Sequence, residues 1–202
     1  MDSQWVAPSP RGGMKGWVDR LIGPGATSVE IGLQLVPAVI AMVVAVVYAH
    51  ASSTSLATGQ LALIAFLGFD IAGGVATNAT SSAKRWYHRS GQNWRDHLAF
   101  VAIHFVHIGL VALFLRGQDW TFFLVVSTYL ISAAGLVTSV PLYIQRPVAL
   151  ILYSVALVGD RYFLAPTVGM EWFLSLFFLK LLIGHLLREI PYQPSETVVP
   201  DP

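Results

Sequence analysis

The sequence predicts an all-α membrane protein: a six-transmembrane-helix bundle, N-in/C-in, with a short interfacial helix ahead of the first span. Three observations carry this prediction. Apolar residues make up 55% of the 202 positions and charged residues 11%, against about 25% charged in an ordinary soluble domain. Mean hydropathy is +0.63. Apolar stretches long enough to cross a hydrocarbon core about 30 Å thick recur along the chain, without the period-two alternation of a β-barrel.

Residues 1–30 read as a cytoplasmic segment. Met14, Trp17, Val18, Leu21 and Ile22 recur at helical spacing, Lys15, Asp19 and Arg20 lie elsewhere, and Gly23-Pro24-Gly25 stops the pattern. A helix lying in the membrane interface fits this pattern. Residues 31–190 carry the spans. The first, 31–50, is free of Asp, Glu, Lys and Arg; 61–76 is apolar around Asp70; 98–115 holds His104 and His107; 120–140 has no ionisable group; 147–164 ends near Asp160 and Arg161; 168–187 encloses Lys180 and His185. Residues 191–202, with Pro at four positions, are expected to form a flexible cytoplasmic tail.

Cations set the orientation, because Lys and Arg favour the cytoplasmic side. Arg11, Lys15, Arg20, Lys84, Arg85, Arg89, Arg95, Arg146 and Arg188 fall on one side of such a topology, and Arg116 and Arg161 on the other. The expected location is therefore an inner or plasma membrane, with membrane lipids as partners. A net charge of +1 supplies no broad basic field, so no nucleic acid is expected; the absence of Cys excludes disulfides, iron–sulfur clusters and thiolate metal sites.

Ionisable groups in hydrocarbon cost a few kcal/mol each and usually face the bundle interior, so they mark function. If the second helix runs on past the membrane surface, Asp70, Gly74, Thr77, Asn78, Ser81, Arg85 and His88 share one face. Gly73 and Gly74 would admit a neighbouring helix or a ligand close to the backbone. On the third helix His97, His104 and His107 stay within roughly 80° of one another. Asp70, about 15 Å below the outer surface, matches His104 and His107, about 10–15 Å above the inner one.

On the sixth helix Glu171, Ser175, Leu182, His185 and Glu189 share a face, with His185 at the level of Asn78 and His97. Lys180 falls about 140° from His185, which turns it away from this cavity towards another helix contact, where it would snorkel or meet an acid. The row Thr128, Ser132, Gly135 and Ser139 on the fourth helix reads as a close-packing face.

Imidazole and carboxylate are the natural ligands of zinc or iron where thiolates are absent. The leading expectation is thus a metal-dependent enzyme acting on a lipid or other amphipathic substrate from the cytoplasmic leaflet. His97, His104 and His107, or two of them with Asp70, would hold the divalent metal; Asp70 or His88 would be the general base; Asn78, Ser81, Arg85 and Arg89 would bind the head group. Two further readings compete. In a proton-coupled transporter or channel, Asp70, His104 and His107 would exchange protons; no inverted repeat is visible, although a homo-oligomer such as a dimer would supply the symmetry. In a single-haem b-type cytochrome, the lesser cofactor reading, the haem would sit between His97 or His104 and His185. In a scaffold, the histidines would only cross-link helices.

Overall fold

The computed structural model describes residues 7–53 and 55–191; the expected tail lies, apart from Pro191, outside them. Near the N-terminus, α1 (Gly13–Ile22) leaves Met14, Trp17 and Leu21 exposed along one face, the pattern of a helix that rests on an apolar surface. Arg11 folds back onto α1, where its guanidinium and its backbone N–H both donate to the Asp19 carboxylate. Gly23 then turns the chain with φ +89°, passing so close to the Ser82–Ala83 backbone that no side chain would fit.

Thr27 and Glu30 form a capping box that starts α2 (Ser28–Ser52). The other Glu30 oxygen accepts from the Ser82 backbone N–H, so one carboxylate serves two helix starts. Small residues bring α2 and α3 (Thr58–Ala79) together: Gly68 lies against Ala41 and Ala45, and Gly73 against Ala38. The buried Gln34 amide joins the Ile22 carbonyl, Thr77 and Thr80 across three segments.

The second span does not run on as one helix. It stops at Ala79, Thr80 turns extended and caps a new short helix, α4 (Ser81–Tyr87). Ser81, Arg85 and His88 therefore leave the straight stripe expected below Asp70. The third span is α5 (Trp94–Ile103) followed by α6 (Phe105–Phe114), broken at His104, whose N–H bonds the Val101 carbonyl three residues back. The His104 ring Nδ1–H donates to the Phe100 carbonyl at 2.7 Å, the group a regular turn would have paired with the His104 N–H.

α7 (Trp120–Ser139) and α8 (Leu142–Phe163) follow. The packed face of α7 is Val126, Leu130, Ala133, Ala134 and Val137. The Thr128–Ser139 row is not the packing face: Thr128, Ser132 and Ser139 are exposed and none of the described residues lies within 4 Å of a Cβ placed on Gly135, because the more apolar side of the helix takes the interior.

Last come α9 (Phe173–Phe178) and a π-helical stretch, Leu179–His185, in which the Leu186 N–H reaches back to the Leu181 carbonyl. Among the described residues, five helices are long and apolar enough to cross a membrane: α2, α3, α5 with α6, α7 and α8. The sixth apolar element, Phe173–His185, is shorter, about 20 Å at an α-helical rise. The chain is a helical membrane protein, and its outer surface agrees: Val43, Val47, Phe66, Val106, Leu124 and Ile151 are exposed while Ile64, Leu67, Ile71, Leu130 and Phe177 are buried.

Candidate functional site

Two groups of titratable side chains lie one above the other between α3, α5, α6 and the π stretch. The upper one is centred on Asp70, in the middle of α3. Its Oδ2 accepts from Lys180 Nζ at 2.6 Å and from His107 Nε2 at 2.9 Å. The Lys180 side chain is 4% exposed, His107 13% and Asp70 33%. An ammonium, a carboxylate and an imidazole thus share one oxygen among apolar helices, where low polarizability strengthens their attraction and makes each costly to leave alone.

Lys180 reaches Asp70 across Gly74, where any Cβ would overlap the lysine's methylenes. Its direction corrects the expectation drawn from 100° per residue. In a π turn the hydrogen bonds run from i to i+5, so residues five apart come nearly into line, and Lys180 and His185 face the same interior. The signal was in the sequence: a lone cation deep in an apolar helix requires an anion, and Asp70 is the carboxylate deepest within a predicted span.

His107 donates through Nε2, so in its neutral form the proton is absent from Nδ1, which is buried without a hydrogen-bond partner among the described residues. The His104 ring stacks on His107 with centroids 5.0 Å apart. Phe100 comes next, 4.8 Å from His104 and 3.8 Å from His185, stacked on the latter.

Below Phe100 lies the second group. His97 Nδ1 and His185 Nε2 share a hydrogen bond of 3.2 Å, the His88 ring lies 4.6 Å from that of His97, and His88 Nε2–H donates to the His185 carbonyl at 2.9 Å. His185 Nδ1 is buried and has no hydrogen-bond partner among the described residues. Burial, then the neighbouring His97 and Lys84, push the His88 imidazole down to about 3, so it stays neutral at ordinary pH. Lys84 Nζ donates to the Gly184 and Leu187 carbonyls, which end the π stretch, and pairs with Glu189; burial lowers it to about 8, against the pull of Glu189.

No family model matches the chain, and no curated protein or solved structure does. The geometry of the site is therefore what bears on its chemistry.

That geometry divides the expected metal ligands. His107 is with Asp70 and Lys180, His104 stacks beside it, and His97 is across Phe100 with His185. Among the described residues no three of His, Asp and Glu are disposed to hold a metal ion. His88, expected as a general base alongside Asp70, belongs to the lower group. Asn78 is buried and donates to the Lys180 carbonyl, Arg85 is buried, and Ser81 is half-buried beyond the kink at Thr80. Arg89 sits over the Trp86 ring at 3.8 Å. Of the four residues assigned to a head group, Arg89 borders the cavity beside His88 and His97 and Ser81 a different one near Lys84. His50, at the far end of α2, is exposed and remote from these histidines along the helix. Phe100, Lys84 and Gln34 carry no mark in the sequence that would distinguish them from core, belt and cap residues.

Proposed function

We propose that the protein is a proton-coupled transporter or channel of the inner or plasma membrane, in which Asp70 is the proton-exchange group. The observation that carries this reading is the sharing of one Asp70 oxygen by Lys180 and His107. While Asp70 is ionised it holds both partners. A proton on the carboxylate removes the charge that balances Lys180 and weakens both bonds, so proton arrival and the release of α3 from the π stretch are one event. His107 and His104 would pass the proton between Asp70 and Phe100, and His185, His97 and His88 would continue the path to the cytoplasmic end. In this reading Phe100 is the apolar barrier between the two halves. Six crossings, with the short Phe173–His185 helix as the sixth and both termini inside, place Asp70 within the membrane and His88 at the cytoplasmic mouth.

The test is proton flux into dye-loaded liposomes holding the full-length protein. Flux should fall at least tenfold in Asp70→Asn and again in His104→Ala. Flux that survives both substitutions together would remove the proposal.

The buried Nδ1 of His185, without a hydrogen-bond partner among the described residues, supports a second reading, a metal-dependent enzyme acting on a lipid. Zinc or iron would there take His97 and His185 and need a further ligand from substrate or solvent. Stoichiometric zinc or iron in the purified protein, with stability lost on chelation, would favour it over the transporter; an absorbance band near about 410 nm would instead indicate haem on histidine.

A further inference from the structure

We infer that the cavity at the α4 end of the bundle binds an oxyanion, a phosphate or carboxylate group. The cavity has a volume of about 270 Å³, and its wall includes Arg89, Arg188, His88, His97, Asn93 and Gln145. This lies at the small end of ligand sites, about 300–1,000 Å³, which suits a small anion or a head group rather than a large substrate.

Among the described residues, the wall has two guanidinium-bearing side chains, two imidazoles and several amide and hydroxyl groups, and no carboxylate. Two described acids close by, Asp96 and Glu189, are engaged elsewhere. Asp96 accepts from the Asn93 backbone and side-chain amide in the cap of α5, and Glu189 pairs with Arg146 and Lys84. A concave site with cations on its wall attracts anions.

The donors are held in place. The Arg89 guanidinium is fixed over Trp86 and bonds the Trp86 carbonyl at 2.6 Å, which leaves further N–H groups of its planar fork for a ligand. The Arg188 backbone N–H is tied to Gln145 Oε1 and the Gln145 amide to the Val137 carbonyl, so the last segment, α7 and α8 meet at this wall. When His185 Nε2–H donates to His97 Nδ1, His97 keeps its own proton on Nε2, a donor suited to an oxyanion and directly linked to the lower histidine group. The inference stands without the proton-exchange reading; with it, the anion would be the species whose movement the proton accompanies.

Thermal melting of the full-length protein in nanodiscs of neutral lipid, titrated with inorganic phosphate, tests the site. The expected result is a saturable rise in Tm whose half-saturating concentration increases at least tenfold in Arg89→Gln/Arg188→Gln and is unchanged in Arg161→Gln, at the opposite end of α8. A second arm uses nanodiscs containing phosphatidic acid. Stabilisation there that added phosphate does not increase, and that the double substitution abolishes, assigns the site to a lipid head group; saturation by phosphate in neutral lipid assigns it to a free anion. Should the double variant not fold, Arg89→Gln alone should weaken the response several-fold. No saturable response in either arm, or one that these substitutions leave unchanged, overturns the inference, as does a linear rise common to all variants, the general salting effect of phosphate.

Discussion

Lys180 passes over Gly74 to reach Asp70, and the missing Cβ at residue 74 is what lets it pass. Gly74→Ala should therefore displace the ammonium while leaving every charge in the chain in place. A loss of stability of about 1–3 kcal/mol, typical of overpacking, is expected in thermal melting. Proton flux should fall as it does in Asp70→Asn. Wild-type flux in Gly74→Ala would mean that the Lys180–Asp70 contact is not used.

Removing one partner of the ion pair leaves the other buried and uncompensated. Asp70→Asn and Lys180→Met should each destabilise by about 3 kcal/mol, and the double variant should recover much of that loss, because the isolated charge is then gone. Flux should stay absent in all three. Glu171→Gln, on an exposed residue before α9, should be much milder. If Asp70→Asn keeps full activity while Glu171→Gln abolishes it, the site lies elsewhere.

Lys84→Met should act on stability. It removes the donor to the Gly184 and Leu187 carbonyls, and unsatisfied buried acceptors cost about 1–3 kcal/mol. Hydrogen exchange should rise at residues 184–188 more than at α2 or α7; uniform exchange across the helices would contradict the capping role.

Acid should loosen the N-terminal segment. The Arg11 side-chain bond, then its backbone N–H, hold the Asp19 carboxyl down at about 2, below the usual carboxylate value near 3.9. A depressed carboxylate contributes stability that is complete above its unfolded value and is lost as pH falls through the folded one. Protease cleavage around residues 7–13 should accordingly increase between about pH 4 and pH 2. Asp19→Asn should show that cleavage at neutral pH, and pH-independent cleavage of the wild type would refute the role of the pair.

Much of the fold is legible in the sequence because its signals are local. Apolar runs mark the long helices, and Gly23-Pro24-Gly25 ends α1 as expected. Counting residues puts Asp70 and His107 at one depth, and the two share a hydrogen bond. The same count puts His185 at the level of His97, and the two rings share a hydrogen bond. The kink at Thr80 is not legible in the sequence, because Thr, Ser and Asn also occur within membrane helices; Thr80 caps α4 with its own hydroxyl, and the tertiary contact that joins it there is Glu30, which accepts from the Ser82 N–H.

The sequence by itself determines that this is a helical membrane protein with costly polar groups at set depths, since hydropathy and helical rise suffice for that. Tertiary structure decides which of those groups meet. The π turn swings Lys180 onto the face of His185, the break at His104 and the ring of Phe100 divide the histidines into two groups, and Gly74 opens the way to Asp70. Each outcome depends on a rotation about a helix axis, and a single changed hydrogen bond in the i to i+4 ladder alters that rotation for every residue beyond it.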